Sequence, residues 1–312
     1  MRLKVIGSAA GGGFPQWNCN YRLSRAARIG ALGIRPRTQS SLAASSDGRS
    51  WVLFNASPDI RQQIADTPEL HPVADGPLRS TPIAAVVLTN ADVDHVAGLL
   101  SLRERQPFAL YASSRVLQVL DANPIFNVLD PELVPRRELQ HDEEIEIRDG
   151  VEAATGLRVE SFSVPGKVAL YLEDPGRPEA DYGSEAGDTM GVRIRSEDGG
   201  ASAFYIPGCA RVGPDLKKRL ENAGSLFFDG TLYTDDEMIT AGVGKKTGRR
   251  MGHISISGEN GSIAALADVP IRRRIFVHIN NTNPVLDENS PEHAEVKRAG
   301  WEIAYDGMEI HL

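Results

Sequence analysis

The sequence predicts an α/β protein built from layers of strands and helices. Short apolar runs recur between glycine, proline and aspartate residues, which is typical of strands separated by turns. In the first half these runs alternate with helical patterns: a buried strand at 83–90, a helix at 96–105, a strand at 108–113 and a helix at 115–122. This strand–helix–strand–helix order is the signature of an α/β layer architecture.

The rest of the chain is richer in predicted strands. They span residues 3–8, 41–46, 51–57, 157–166, 168–174, 190–197, 202–208, 225–231 and 273–281. Further helices are expected at 216–223, 262–269 and 290–300, and a long loop from Asp174 to Asp188. The Asp306-Gly307 pair predicts a hairpin within the last twelve residues. Because there is no repeat and no linker, we expect a single domain of residues 1–312.

Composition restricts the class of function. The net charge is -8 with a pI of about 5.5, which argues against non-specific nucleic-acid binding. Two cysteines do not make a disulfide framework. The N-terminal segment lacks the features of a signal peptide, and no apolar stretch approaches the ~18 residues of a membrane span. We therefore expect a cytoplasmic protein that binds neither nucleic acid nor membrane; whether it forms a homodimer stays open.

The first candidate site follows the buried strand at 83–90. That strand delivers Asp92, Asp94 and His95 into the loop before a helix. In open α/β sheets, ligands bind beyond the carboxyl ends of strands. Two carboxylates and an imidazole within four residues suit Fe, Mn or Zn. Capping of the helix by its aspartates is the alternative. We predict that these three residues are catalytic.

Other strands end in the same kind of residue. Asp229 follows the buried run at 225–228, His278 ends the strand at 273–281, and His253 lies beside a glycine in a loop. Each histidine alone is more typical of a structural role. Together with the first cluster they favour a metal centre, so the predicted metal ligands and their supporting residues are Asp92, Asp94, His95, Asp229, His253 and His278.

Several motifs carry a family resemblance. The pattern Asn90-x-Asp92-x-Asp94-His95 is similar to the His-x-His-x-Asp-His motif of the metallo-β-lactamase superfamily. Six other stretches resemble the PqqB family of pyrroloquinoline quinone (PQQ) biosynthesis, and the resemblance runs from residue 3 to about residue 309. These stretches are Gly7–Asn20, Arg37–Ser41, Asn55–Arg61, Asp229–Thr231, Met251–His253 and His278–Pro284.

The resemblance implies an αββα four-layer sandwich with its site at the edge between two sheets. It also implies iron-dependent hydroxylation of the tyrosine in a Glu–Tyr precursor, with dioxygen as co-substrate and Fe(II) as the expected metal; Zn or Mn are alternatives. Two other functions stay open: a carrier that takes PQQ or its precursor towards the periplasm, and a metal-dependent hydrolase.

Departures from the superfamily pattern favour oxidation over hydrolysis. Asn90 and Asp92 replace its first two histidines, Lys167 follows Val164-Pro165-Gly166 where another histidine is common, and Cys209 falls where a bridging aspartate is often found. Losing those ligands argues against a two-zinc hydrolase. A single site rich in carboxylate resembles the ligation of non-haem iron oxygenases.

The N-terminal segment departs from the PqqB family as well. Where that family carries a Cys-x-Cys-x-x-Cys cluster, this chain has Cys19, Tyr21 and Ser24. A closed structural zinc site needs four ligands, and one cysteine cannot supply them. We therefore predict no structural zinc at Cys19.

Polar residues near the strand ends are candidates for binding the substrate. The predicted set is Ser57, Asp59, Arg61, Asn281, Thr282 and Asn283, with Arg61 as a partner for the glutamate carboxylate. Loop-stabilising hydrogen bonds are the alternative role. The glycine-rich loop from Gly7 to Asn18 is expected either to line the pocket, with Phe14 or Trp17 as an aromatic wall, or to permit close packing.

Overall fold

The computed structural model of the chain describes residues 1–173 and 185–312. Its strands are β1 (Arg2–Gly7), β2 (Ser41–Ser45), β3 (Trp51–Phe54), β4 (Ile83–Val87), β5 (Ala109–Ala112), β6 (Arg136–Glu138), β7 (Glu144–Arg148), β8 (Ala154–Ser163), β9 (Met190–Ser196), β10 (Ala203–Ile206), β11 (Ser225–Asp229), β12 (Arg274–Val277), β13 (Trp301–Ile303) and β14 (Glu309–His311). Its α-helices are α1 (Arg22–Arg28), α2 (Ile60–Ala65), α3 (Val93–Val96), α4 (Ser114–Ala122), α5 (Pro214–Leu220), α6 (Glu237–Thr240), α7 (Ser262–Ala265) and α8 (Pro291–Arg298).

The strands form two seven-stranded mixed sheets. The order is β14-β1-β2-β3-β4-β5-β6 in the first sheet and β13-β12-β11-β10-β9-β8-β7 in the second. In each sheet, the strands of one half pair antiparallel. The strands of the other half form three consecutive parallel pairs. The parallel strands β4 and β12 belong to different sheets, and each ends in a loop that carries predicted site residues.

Three apolar clusters show how the layers stack. One contains residues of both sheets, such as Val87 and Val192, and fills the space between them. A second lies outside the first sheet, where Val116 and Leu120 of α4 pack on it. The third lies outside the second sheet, where α5 and α8 contribute Leu216 and Val296. This is the expected αββα sandwich, and the prediction of fold class is confirmed.

Three predicted elements are wrong in detail. The last twelve residues do not form a hairpin, because β13 pairs with β12 in one sheet and β14 pairs with β1 in the other. The predicted helix at 96–105 is replaced by α3 and a 3-10 helix at Ala97–Leu102. The predicted strand at 168–174 is a 3-10 turn at Leu170–Leu172, with no strand partner among the described residues.

Short elements were missed by the sequence patterns. They include α1, α2, α6, β6 and β7, whose lengths are three to seven residues. Periods of 3.6 or 2 residues are hard to recognise over so few positions. Most of the predicted loop from Asp174 to Asp188 falls on residues 174–184, outside the described ranges.

Candidate metal centre

The loops after β4 and β12 meet between the two sheets. The Oδ2 atom of Asp94 lies 3.0 Å from Nε2 of His278 and 3.7 Å from Nε2 of His95. The His95 and His278 rings meet edge to face, with centroids 5.3 Å apart, and His253 stacks on His278 at 5.2 Å. One carboxylate and three imidazoles from separate parts of the sequence therefore converge on one place.

Local backbone geometry presents the first two of these residues. β4 is buried along its whole length, and the chain then turns so that Asp92 precedes α3 in extended conformation. The amide of His95 donates to the carbonyl of Asp92 at 2.9 Å, and the amide of Ala56 donates to the carbonyl of His95 at 2.8 Å. The loop after β3 thus supports the loop that carries Asp94 and His95.

Each imidazole donates through Nδ1 to an acceptor inside the protein. His95 lies 2.6 Å from Oδ1 of Asn90, and His278 lies 2.8 Å from the Thr231 hydroxyl. The Nδ1 atom of His253 lies 2.7 Å from Oδ2 of Asp229. A hydrogen bond at one ring nitrogen decides which nitrogen remains to bind a metal. This network leaves Nε2 of all three histidines as the metal-facing atom.

The carboxylate of Asp229 orients metal-site histidines, and both of its oxygens already accept hydrogen bonds. Oδ1 accepts from the amide and hydroxyl of Thr231 at 3.1 and 2.7 Å. Oδ2 accepts from the amide of Cys209 at 2.8 Å and from His253. Carboxylates in this position fix a metal-binding histidine in one tautomer and orientation. We therefore assign Asp229 to the support of His253 and, through Thr231, of His278.

Burial and charge oppose each other in this cluster. Burial alone would raise the pKa of Asp94, but the charges of His95 and His278 and the hydrogen bond from His278 hold it below its usual range. Burial lowers the pKa of His95 to about 4, and the nearby Asp94 only partly offsets this. Burial also opposes protonation of His278. The hydrogen bond with Asp94 and the charge of Asp94 outweigh this effect and raise the pKa of His278. The site thus favours a carboxylate beside a neutral His95.

The donor atoms fit a metal ion. Nε2 of His95 is buried and has no hydrogen-bond partner among the described residues, which is unusual for a buried ring nitrogen. The groups Asp94–His95–His278 and Asp229–His253–His278 each bring three ligand atoms within 4.8 Å of one another. His278 also has a positive φ of 56°, a conformation that non-glycine residues adopt at a cost and often at functional sites. Asp94, His95 and His278, with His253 beside them, would hold the metal.

Asp92, the other aspartate of the motif, makes its contacts with residues outside the imidazole cluster. Its Oδ1 accepts from the amide of Leu170 at 2.9 Å, and its Oδ2 lies 3.9 Å from Nζ of Lys167. It occupies the N-cap position of α3, but its side chain makes no cap hydrogen bond, so the structure does not support the capping alternative for Asp92. As a direct ligand it remains a prediction.

The predicted substrate residues near β3 support loops in this structure. Ser57 is buried and its hydroxyl donates to Gln63 at 3.1 Å. Oδ2 of Asp59 accepts from the backbone amide and the side-chain amide of Gln39, and the side-chain Oε1 of Gln39 accepts from the amide of Gly12. Arg61 is exposed on α2. These contacts favour the loop-stabilising role for Ser57 and Asp59.

The three predicted residues after β12 are also engaged within the protein. The hydroxyl of Thr282 donates to the buried carboxyl of Glu237 at 2.5 Å. Asn283 caps the following 3-10 turn and donates to the carbonyl of Gly230 at 2.9 Å. Asn281 donates to the side chain of Gln16 at 2.5 Å. All three fix the loop that continues from His278, and a contact with substrate remains a prediction.

The glycine-rich loop approaches the metal site closely. A Cβ atom on Gly11 would lie 3.5 Å from the carboxylate of Asp94, and Gly12 and Gly13 have φ of 90° and 71°. The two proposed aromatic walls are wrong, however. Phe14 is buried in the apolar cluster outside the second sheet, and Trp17 is 86% exposed. This loop therefore contributes backbone atoms, and neither of the two aromatic rings, to the site.

The thiol of Cys19 takes part in a local hydrogen-bond pair. Its Sγ donates to Oδ1 of Asn281 at 3.4 Å and accepts from the amide of Tyr21 at the same distance. The thiol therefore joins the N-terminal segment to the loop after His278. That no zinc binds at Cys19 stays a prediction, and an unchanged metal content in Cys19→Ser would support it.

Residue-by-residue reasoning missed three contributors. Thr231 links Asp229 to His278, Asn90 orients His95, and Lys167 pairs with Asp92. Thr231 and Asn90 both lie in the motifs given above. Their closeness in sequence to the predicted ligands could have identified them as supporting residues. The position of Lys167 depends on a contact between segments far apart in sequence.

A large cavity adjoins His253. Its volume is about 1620 Å³, and its lining includes Gly166, Arg211, Arg249 and His253. Pockets for small ligands commonly measure a few hundred to a thousand cubic ångströms. There is room beside the metal centre for a substrate of at least dipeptide size.

An αββα sandwich with a histidine–aspartate cluster at the sheet edge defines a protein of the metallo-β-lactamase class. A family model described as a β-lactamase superfamily domain matches residues 50–279. The coenzyme PQQ synthesis protein B of Methylobacterium nodulans is 55% identical over 312 residues and all of both chains. The chain belongs to the PqqB family.

Solved structures agree with this assignment. The crystal structure of Zn²⁺-bound PqqB from Methylobacterium extorquens is 53% identical, covers all of both chains and superposes with a TM-score of 0.93. A diphosphatase of the PhnP family is 20% identical, with a TM-score of 0.67 over 100% of this chain and 97% of the other, and shows the shared fold alone. None of the helices in the described ranges is long and apolar enough to span a membrane.

Proposed function

We propose that this protein acts in PQQ biosynthesis as a non-haem iron oxygenase that hydroxylates the tyrosine ring of a Glu–Tyr precursor. The observation that supports this most is the ligand set of two histidines and one carboxylate, namely His95, His278 and Asp94, with His253 beside them. Such a set with open positions is typical of non-haem Fe(II) oxygenases. The role in PQQ synthesis rests on the full-length similarity to the PqqB relatives.

Bound Fe(II) would supply the redox chemistry that activates dioxygen. Insertion of one oxygen atom into a ring C–H bond then consumes two electrons and two protons from an external reductant, and the second oxygen atom leaves as water. The residues of the chain orient and enclose the reactants. Asn90, Thr231 and Asp229 hold the three imidazoles with Nε2 towards the centre, and the backbone at Gly11 closes one side of Asp94. The cavity beside His253 gives the dipeptide its space. Fixed ligands and a shaped cavity limit the reaction to a ring held near the centre.

A hydrolase with two metal ions is the competing function. Its second ion would need Asp229, His253 and His278 together. Because four donors already occupy the oxygens of Asp229, the second group acts better as support for the first. A carrier without turnover would need no ligand set of this kind.

The test is anaerobic reconstitution with Fe(II), followed by oxygen, a reductant and a Glu–Tyr dipeptide. We expect mass spectrometry to show the gain of one oxygen atom on the tyrosine ring. The matched control is protein loaded with Zn²⁺, which has no redox chemistry. Equal products with both metals, or no oxygen gain with iron, would rule out the oxygenase.

A further inference from the structure

Three large apolar side chains are exposed at the C-terminal end of α1. Trp17, Ile29 and Leu32 are 86%, 83% and 96% exposed. Ile29 directly follows the helix, and Leu32 lies in the next turn of the chain. The guanidinium of Arg28 ties the turn that carries Trp17 to the helix through two hydrogen bonds to backbone carbonyls, each 2.6 Å long. Exposed apolar residues are ordinary when scattered, but a group of them marks an interaction surface. These three residues form the apolar tip.

The chain around the apolar tip carries positive charge only. All 42 aspartates and glutamates lie after residue 46, whereas seven of the 34 lysines and arginines lie before it. Arg22, Arg25 and Arg28 are exposed on α1, and none of them has an acidic partner within the described ranges of the chain. Arg22 lies in the first turn of α1, where a cation opposes the helix dipole. Helix stability therefore does not account for this charge.

The surface of an anionic lipid bilayer fits both features. Its fluid apolar boundary takes up projecting side chains without a matching pocket, and an indole ring favours the depth of the headgroups. Arginines beside the inserted side chains attract the phosphates of the lipid. Because every acidic residue lies in the rest of the chain, the same surface would repel that part and orient α1 towards the lipid. An acidic protein would share the preference for charge but would need pockets for three separate side chains.

We propose that this protein binds the surface of anionic phospholipid bilayers through the apolar tip and the arginines of α1. The expectation from sequence that no membrane is bound rested on the lack of a long apolar stretch, which a surface contact does not need. The proposal does not depend on the metal or on the proposed function.

The test is sedimentation of the full chain with vesicles of phosphatidylcholine alone and of phosphatidylcholine mixed equally with phosphatidylglycerol. We expect the protein to pellet with the mixed vesicles and to stay in solution with the neutral ones. Tryptophan fluorescence reports the contact directly, because Trp51 and Trp301 are 0% and 3% exposed and Trp17 is open to solvent. Its emission should shift to shorter wavelength with the mixed vesicles only.

Two substitutions separate the apolar and the charged contributions. Leu32→Ser should weaken binding to the mixed vesicles by roughly tenfold, since a leucine side chain no longer enters the lipid. Arg25→Gln should weaken it by about fivefold, the effect of one cation near an anionic surface. The matched controls are Ile125→Ser, which alters an apolar residue 58% exposed outside the first sheet, and Arg49→Gln in the turn between β2 and β3. Both should bind like the unaltered protein.

A protein that stays in solution with the mixed vesicles would overturn the proposal, and so would equal binding to neutral vesicles. Equal weakening in the control variants would overturn it as well, because the contact would then not involve α1. Size-exclusion chromatography detects the competing occupant, a second copy of the chain. A dimer that dissociates in Leu32→Ser, in a protein that ignores vesicles, would assign the apolar tip to that copy instead.

Discussion

Asp94 and His278 are 184 positions apart in sequence, yet their Oδ2 and Nε2 atoms lie 3.0 Å from each other. Asp94 follows the β4 end of the first sheet, and His278 follows β12 of the second. The contact therefore joins the two sheets at their common edge. A metal ion bound here would replace the proton that the two groups share, which couples metal affinity to pH and to the packing of the sheets.

The two aspartates of the motif should differ in their effect on metal binding. We expect Asp94→Ala and His95→Ala each to lose most of the bound metal while the protein stays folded. Asp92→Asn should keep it, because Asp92 faces Leu170 and Lys167. Elemental mass spectrometry on purified variants measures this, with circular dichroism to check folding. Full occupancy in Asp94→Ala would remove the centre of the site assignment.

Thr231 should control metal affinity without touching the metal. Its hydroxyl donates to Asp229 and accepts from His278, and valine of the same shape removes both contacts. Loss of such a supporting contact typically weakens metal binding by about 10–100-fold. Competition with a chelator of known affinity would measure this for Thr231→Val. Thr231→Ser keeps the hydroxyl and should restore most of the affinity; equal weakening in both variants would mean that packing, and not the hydroxyl, matters.

Stability should depend on pH through Glu237. Burial raises the pKa of its carboxyl to about 7, although hydrogen bonds from Thr282 and Tyr233 offset part of the effect. Because the folded-state pKa exceeds the ordinary value of 4.5, the stabilisation is full below about pH 4.5 and is lost as the pH rises through about 7. Each pH unit in that window changes the free energy of unfolding by up to about 1.4 kcal/mol.

Urea unfolding at about pH 5 and about pH 8 tests this on the unaltered protein and on Glu237→Gln. The glutamine cannot ionise, so the variant should lose less stability over the same interval. Glu259→Gln, at an exposed position, is the control and should keep the slope of the unaltered protein. An identical slope in Glu237→Gln would show that this carboxyl does not titrate in the window.

The glycine-rich loop should respond differently at two neighbouring positions. Gly12 has φ of 90° and the Gln16 side chain close by, so Gly12→Val is strained in any rotamer. We expect its free energy of unfolding to fall by roughly 1–3 kcal/mol, with activity following the folded fraction. Gly11→Ala, whose Cβ would make only an ordinary contact with Asp94, should unfold like the unaltered protein. If Gly12→Val kept its stability while losing activity, the loop would instead line the pocket.

The sequence alone determined the layered α/β class and most of the long elements. The buried strand β4 is a continuous apolar run, and β11 and β12 each contain three consecutive apolar residues, because both faces of an inner strand are covered. Asp94 and His95 could be chosen for the same reason: polar residues that directly follow such a run lie at the edge of the sheet. The family motifs added the arrangement of the four layers.

Only the tertiary structure decided which polar residues face one another. The last two strands looked like a hairpin because a turn pair separates them, yet each completes a different sheet, and pairing partners are not encoded in a local pattern. Asp92 and Asp94 carry the same side chain two residues apart, but one meets Lys167 and the other His278. The turn into α3 points the two side chains in different directions. Each contacts a segment that is distant in sequence, so their different roles follow from the packing of the two sheets.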